Sequence, residues 1–248
     1  MERERRRALE AALTAGGSGP DVRSVCALCV TQLPVSGAGV TVLSRFGGDG
    51  DDLQRGLVHA TDEISRGLED VQLTVGEGPC IDAFATGGPI LINDLAAETA
   101  RWPGFAPAAV ELGAAALFSF PLEIGVVRLG SLDLYRDAPG PLTGAMLSDA
   151  LALADLATQA IVQDLDGHAT EDLSWLADPH AQVHQASGMV EVQLDTTAEV
   201  ALLRLRSYAY RHAMPITEVA RQVVDRELRF TAEDDPAAPR GERGERDR

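Results

Sequence analysis

The chain has 248 residues, is 45% hydrophobic and 4% aromatic, and carries a formal net charge of −17, with all 21 of its basic residues arginine. That length accommodates one large domain or two ordinary ones, and the acidic balance argues against a sequence-blind coat for nucleic acid, whose phosphates an anionic body repels. No apolar run approaches the roughly 18–20 residues a spanning helix needs, and MERERRRALEAAL lacks the apolar stretch of a signal peptide, so a cytoplasmic protein with no membrane partner is expected.

Residues 1–20 read as a lead-in, a charge-rich helical pattern over 1–15 closed by GGSGP. Asp21 is placed to cap a helix over 22–33, whose Val22, Val25, Cys26, Cys29, Val30 and Leu33 recur at helical spacing. AGVTVLSR at 38–45 alternates like a strand, GGDGDD at 47–52 turns the chain, and GLVHAT at 56–61 is a second strand. A helix over 62–73 leads to VGEGPC at 75–80, a glycine-proline turn into a short helix, IDAFAT. PILIN at 89–93 is a strand, and WPGFAPAAVELG at 102–113 is a helix entered through proline and closed by glycine.

Residues 115–122 and 128–136 form an antiparallel pair around EIGVV, with Leu129, Ser131, Asp133 and Tyr135 on one face and Leu132 and Leu134 on the other. APGPLT breaks the chain before a long helix over 143–165 with a continuous apolar stripe from Met146 to Leu165. Helices first, then strands with helices between them, then a closing helix predict an α+β fold with a sheet flanked by helices.

Few residues ask for chemistry. Three cysteines cannot all pair and suit a reducing compartment. Cys26 and Cys29 form a CxxC, but both fall on the apolar side of their helix, where a buried structural role is the plainer reading. Cys80 opens a helix, a position that favours a thiolate, although nothing around it specifies redox use. The glycines of GEGPC can cradle a phosphate at a helix start, yet no lysine follows and Glu77 repels an anion. The five histidines have no spacing that makes a metal site; His180 and His184 at i, i+4 could hold a metal only if a carboxylate joined them, and a surface or packing role is the plainer reading. No catalytic set can be placed in one cleft. No cofactor, metal or enzymatic activity is therefore expected.

The blocks VGEGPCIDAFATGGPILINDL (75–95), RWPGFAP (101–107) and FPLEIGVVRLGSLDLYRDAPGPL (120–142) resemble a GAF domain, a PAS-like sensory fold. The resemblance covers about residues 21–165, with 142–165 as a connecting helix, and implies a six-stranded antiparallel sheet around a ligand pocket. Cys80, Phe118, Phe120 and Asp133 are the candidate pocket residues for an unknown small molecule.

After a linker at 166–179, residues 180–230 read as three helices, with a disordered tail expected over 231–248. Asp178 and Pro179 start the first, to about Gln193; Gly188 within it suggests close approach of another backbone. The second runs over 198–213 with Ala198, Ala201, Leu202, Leu205, Tyr208 and Ala209 inward. The third, capped by Thr217, spans 218–230 on Val219, Ala220, Val223, Val224 and Leu228. Residues 1–179 hold 26 acidic and 11 basic side chains, whereas 180–230 hold six of each, so a neutral module sits on an acidic body.

QASGMV (185–190), the Ala201, Leu205-Arg206, Ala209 spacing and ITEVARQVV (216–224) resemble an ANTAR domain, and the whole is similar to actinobacterial GAF and ANTAR domain-containing transcription antitermination regulators. The resemblance implies a dimer that binds paired stem-loops in nascent RNA and keeps transcription from terminating. Gln185, Ser187, Arg204, Arg206, Tyr210, Arg211 and Arg221 are the candidate RNA contacts, with Ser187 standing where the family has lysine. Loop RNA is read by stacking on aromatic or guanidinium planes and by phosphate contacts. Helix 143–165 is the expected coupling element between sensor and output. A DNA-binding regulator and a GAF-fold cysteine redox enzyme are the alternatives.

Overall fold

Strand alternation gives the sheet two chemically different faces, and the rest of the fold follows from what covers each. A computed structural model describes residues 2–14, 21–45, 53–167 and 181–231. Its elements are α1 (Glu2–Thr14), α2 (Val22–Gln32), β1 (Gly37–Arg45), β2 (Leu53–Ala60), α3 (Glu63–Val75), α4 (Pro79–Thr86), β3 (Ile90–Ile92), a 3-10 turn (Leu95–Glu98), α5 (Phe105–Glu111), β4 (Ala116–Ile124), β5 (Val127–Arg136), α6 (Gly144–Gly167), α7 (Ala181–Leu194), α8 (Ala198–Arg211) and α9 (Ile216–Val224). Among the described residues the sheet has five strands, not six, all antiparallel in the order β2-β1-β5-β4-β3.

One face is fully apolar. Ala38, Val40, Phe118, Phe120, Leu122, Leu132 and Leu134 pack against α2 and α6, sharing a core with Val25, Cys26, Cys29, Leu153, Ala157 and Ile161. The lead-in belongs to this core as well: Leu9 and Leu13 of α1 are buried in it, while Arg5 and Arg6 pair with Asp149 (2.7 Å) and Asp155 (2.9 Å) of α6. A 20-residue stretch of α6, Gly144–Gln163, is long and apolar enough to cross a membrane on length and composition, contrary to the sequence expectation. Half of it is buried inside the protein, and Asp149, Asp155 and Thr158 interrupt it, as befits a core helix.

The opposite face carries Thr41, Ser119, Ser131, Asp133, Leu117 and Tyr135, and α3, α4 and α5 cover it. Ser131, Asp133 and Tyr135 alternate as expected from the sequence. Leu129 does not: Leu122 pairs with Gly130 but Glu123 with Arg128, and this bulge lets Leu129 pack with the α2–α6 core.

The three C-terminal helices have their own core of Val183, Ala186, Val190, Ala201, Leu205, Ala209, Ile216, Val219, Ala220 and Val223, and Leu73 of α3 completes it. Thr197 caps α8 by accepting from the Val200 N–H at 3.3 Å. The third helix starts earlier and stops earlier than expected, with Pro215 rather than Thr217 at its N-cap. Beyond it the chain folds back, so that Phe230 is buried and its N–H donates to Gln193 Oε1 at 2.9 Å. His180, the Asp178-Pro179 start, most of the linker and most of the tail lie outside the described residues.

Candidate functional site

The polar side chains of the second sheet face meet those of α3 and α4 in a buried nest. Asp62 fixes the start of α3 by accepting from the Ser65 N–H at 2.7 Å, and Gly76 ends it in the left-handed region at φ 74°. This frame turns Glu69 and Gln72 toward the sheet. Gln72 is the hub: its Nε2 donates to Asp133 Oδ2 at 3.0 Å and to Glu69 Oε1 at 3.4 Å, and its Oε1 accepts the Cys80 N–H at 2.9 Å. Thr41 on β1 donates to Glu69 Oε2 at 2.9 Å. Gly78, at φ 141°, passes so close that an added Cβ would lie 2.6 Å from Gln72 Oε1, so only glycine lets the chain reach Cys80 by this route.

The two distinctive sequence blocks turn out to be joined. Glu77 of GEGPC accepts the N–H groups of Gly104 (2.6 Å) and Phe105 (3.1 Å), satisfying the start of α5. Arg101 of RWPGF pairs with Asp82 of α4 at 2.8 Å and lies 4.2 Å over the Trp102 ring. Glu77 is thus a capping group for a neighbouring helix.

Of the four candidate pocket residues, Cys80 and Asp133 lie in this nest. Phe118 and Phe120 do not. Their side chains point to the α2–α6 core, because they alternate with Leu117 and Ser119, which face α3 and α5. Cys26 and Cys29 lie behind the sheet in the same apolar core, where burial raises both thiols, Cys29 to about 12, and keeps them protonated at neutral pH. They are therefore no resolving partners for Cys80. Glu69, Gln72, Thr41 and Ser119 were not singled out from the sequence, and Ser131 only as sharing a strand face with Asp133; the only signal was polar residues at buried parity.

The candidate RNA contacts are distributed over several surfaces. Ser187 is buried and donates to Ala198 O at 3.0 Å, tying α7 to the start of α8, so it offers no exposed contact. Gln185 lines a groove of about 620 Å³ between α7 and α9 with Met189, Val192, Val223 and Arg229. Gly188 opens onto that groove, and among the described residues nothing lies within 4 Å of a Cβ placed there, so no backbone of theirs makes the close approach expected. Arg206 turns to α3, where its Nε donates to Leu73 O at 3.1 Å, at the carbonyl end of the helix. Nearby, the Ile216 N–H donates to Thr74 Oγ1 at 3.1 Å. Tyr210 is 76% exposed at the mouth of a groove of about 350 Å³ formed with Thr74, Val75, Glu77, Pro103, Gly104, Arg206 and Ser207. Arg211 is exposed and Arg204 half-buried on α8.

Arg221 is held by Glu218 (2.7 Å), Asp225 (3.1 Å) and Glu227 (3.9 Å) on its own segment. Its hydrogen bonds hold the Glu218 carboxyl down to about 2. A lowered carboxyl contributes stability above its unfolded value, and that contribution is lost as pH falls through the range from about 4.5 to about 2. Both groups are exposed, so salt screens the pair. An NMR titration of Glu218 is expected to give a midpoint near 2 at low salt that moves up toward the ordinary glutamate value in Arg221→Ala; a midpoint unmoved by that substitution would refute the pairing.

No curated protein matches the chain. Among solved structures it is similar to the N-acylhomoserine lactone dependent LuxR family transcription factor CepR2 of Burkholderia cenocepacia, at 20% identity over 67% of this chain and 98% of that one, with a TM-score of 0.47. It is also similar to the GAF domain of a phosphoenolpyruvate-protein phosphotransferase of Coxiella burnetii, at 16% identity over 67% and 95% with a TM-score of 0.46. The GAF domain of the Acinetobacter phosphoenolpyruvate-protein phosphotransferase gives 12%, 67%, 96% and 0.44. The GAF domain family itself matches residues 22–162, more than half the chain and the whole of the sheet with its flanking helices, and the protein belongs to that family of mainly sensory domains.

Proposed function

We propose that this protein is a signal-responsive regulator whose GAF domain controls a C-terminal module that binds stem-loops in nascent RNA and prevents transcription termination. The observation that carries the reading is the docking of α8 and α9 on α3, the helix that also supplies Glu69 and Gln72 to the buried nest. Sensor and output therefore share one rigid element. The coupling runs through α3, not through the long helix α6 expected from the sequence, whose apolar stripe is engaged behind the sheet. In the docked form Arg206 serves the carbonyl end of α3 and is withheld from a phosphate. An event in the nest that shifts α3 releases the module, and two released modules in a dimer engage paired RNA loops.

The module's buried positions support the ANTAR reading, since Ala186, Ala201, Leu205, Ala209, Val219, Ala220 and Val223 all fall in its core. Burial of Ser187 shifts the RNA contacts toward the arginines of α8. Two observations weigh against the alternatives. Arg221 is spent on Glu218, Asp225 and Glu227, which leaves α9 poorly suited to read a DNA groove. Cys80 is fully buried with the other thiols beyond the sheet, which disfavours disulfide-based turnover.

The test is filter binding of the full chain to a paired stem-loop RNA and to duplex DNA at the same salt. RNA is expected to bind more tightly, and the double variant Arg204→Ala/Arg211→Ala to bind it about tenfold more weakly, the loss expected of 1–2 charge-assisted contacts. Equal affinity for duplex DNA, or RNA binding untouched by the variant, would sink the reading.

A further inference from the structure

We propose that Glu69, Cys80 and Asp133 form a binding site for a divalent transition-metal ion of the zinc or iron(II) class, set between the sheet and helices α3 and α4. One ligand atom from each residue, two carboxylate oxygens and a sulfur, lies within 4.8 Å of both others. Metal bonds of about 2.0–2.3 Å keep ligand atoms within roughly 4.5 Å of one another, so little adjustment separates this arrangement from a coordination sphere. The three residues come from three elements and are 1%, 0% and 5% exposed. Two carboxylates and a thiol gathered away from water repel one another once ionised, and a dication reverses that repulsion.

The hydrogen bonds around the cluster are those a metal site uses to orient its ligands. Thr41 fixes Glu69, and Gln72 holds Glu69, Asp133 and the backbone of Cys80 at once. A second observation points to a ligand independently. Ser119 and Ser131 are completely buried, and their hydroxyl oxygens have no hydrogen-bond partner among the described residues. Ser119 stands directly opposite Asp133 across the β4–β5 pair, and Ser131 precedes Asp133 by two on the same strand face. Buried hydroxyls are almost always satisfied. Here they flank the cluster, where a polar ligand such as a metal-bound water serves them.

The donor set selects the ion. A soft thiolate beside carboxylates suits zinc or iron(II) and disfavours magnesium and calcium, which take oxygen ligands only. Loading forms a metal–sulfur bond with the Cys80 electron pair and releases the thiol proton to solvent, with no change of oxidation state. Glu69 lies one helical turn before Leu73, whose carbonyl accepts from Arg206, so the ion would pull on the turn that seats the C-terminal module. The site stands on the nest alone and does not depend on RNA being the output ligand, because metal uptake is measured without RNA.

The test uses the full chain, stripped with chelator and titrated anaerobically with Co²⁺ as a spectroscopic probe, then with Zn²⁺ in competition. The expected result is about one Co²⁺ per chain with a thiolate-to-cobalt charge-transfer band that Zn²⁺ abolishes. Cys80→Ser should lose the band, and Glu69→Gln and Asp133→Asn should weaken uptake. Gln72→Ala, which touches no metal, should weaken it about 10–100-fold while the band persists. The wild-type titration decides even if a variant fails to fold. No uptake of Co²⁺ or Zn²⁺, or uptake without the thiolate band, overturns the proposal, as does a band that survives in Cys80→Ser.

Discussion

Phe118→Ala is expected to destabilise the sensor domain by about 3–5 kcal/mol and leave the buried nest in place. Phe118 is completely buried, opposite Leu134 on β5, in the core that α2 and α6 form behind the sheet. Removing its ring leaves a cavity between a sheet and two helices, and such layers close over a void only partially. At roughly 2–4 °C per kcal/mol for a domain of this size, the melting temperature should fall by about 6–20 °C. Asp133→Asn, one residue from Phe118's cross-strand partner but on the other face, should change metal uptake with a much smaller thermal shift. The pair of variants separates the two faces. A Phe118→Ala protein that melts within about 1 °C of wild type, or that alters uptake while remaining stable, would show that the ring belongs to the pocket after all.

The placement of Phe118 and Phe120 on the face away from Cys80 and Asp133 shows where the sequence stops being legible. Element order, the Asp21 cap and the parity of Ser131, Asp133 and Tyr135 were all readable, because caps and alternation act within a few residues. Which face of a doubly covered sheet meets the buried polar nest depends on which helices land where, and that is a tertiary fact. The strand ALFSFPLEI gives no hint of its own, since residues on both its faces are buried. Glu69 and Gln72 were hidden for a related reason. On an amphipathic helix polar residues are assigned to solvent by default, and buried ones become visible only when Thr41, Asp133 and Cys80 arrive to satisfy them. Ser187 was misjudged in the same way: the family position suggested an exposed cation, whereas here a small hydroxyl fits under Ala198. The CxxC, by contrast, was read correctly as buried, because its helical spacing already placed both thiols on the apolar side.

Leu73→Ala should release the C-terminal module and strengthen RNA binding in the full chain. Leu73 is 2% exposed and is the sensor's contribution to the module's own core, while its carbonyl accepts from Arg206 and its neighbour Thr74 accepts from Ile216. Truncating a buried leucine costs about 2–5 kcal/mol, and at this position the loss falls on docking as well as on α3. The module's helices keep every one of their own residues. If about 2 kcal/mol of docking energy competes with RNA for the Arg206 and Tyr210 side of α8, its removal raises the apparent RNA affinity by up to about 30-fold. Hydrogen exchange should show the effect directly, with faster exchange at the Ile216 amide, whose acceptor Thr74 has moved away. Arg206→Ala opens the same interface but removes a candidate RNA contact, so it should free the module with a smaller gain in affinity, or none. This contrast between the two variants is what a competition between α3 and RNA for one side of α8 requires. Release of the module by Leu73→Ala with RNA affinity unchanged would mean that the docked face and the RNA face are different, and that α3 holds the module without silencing it.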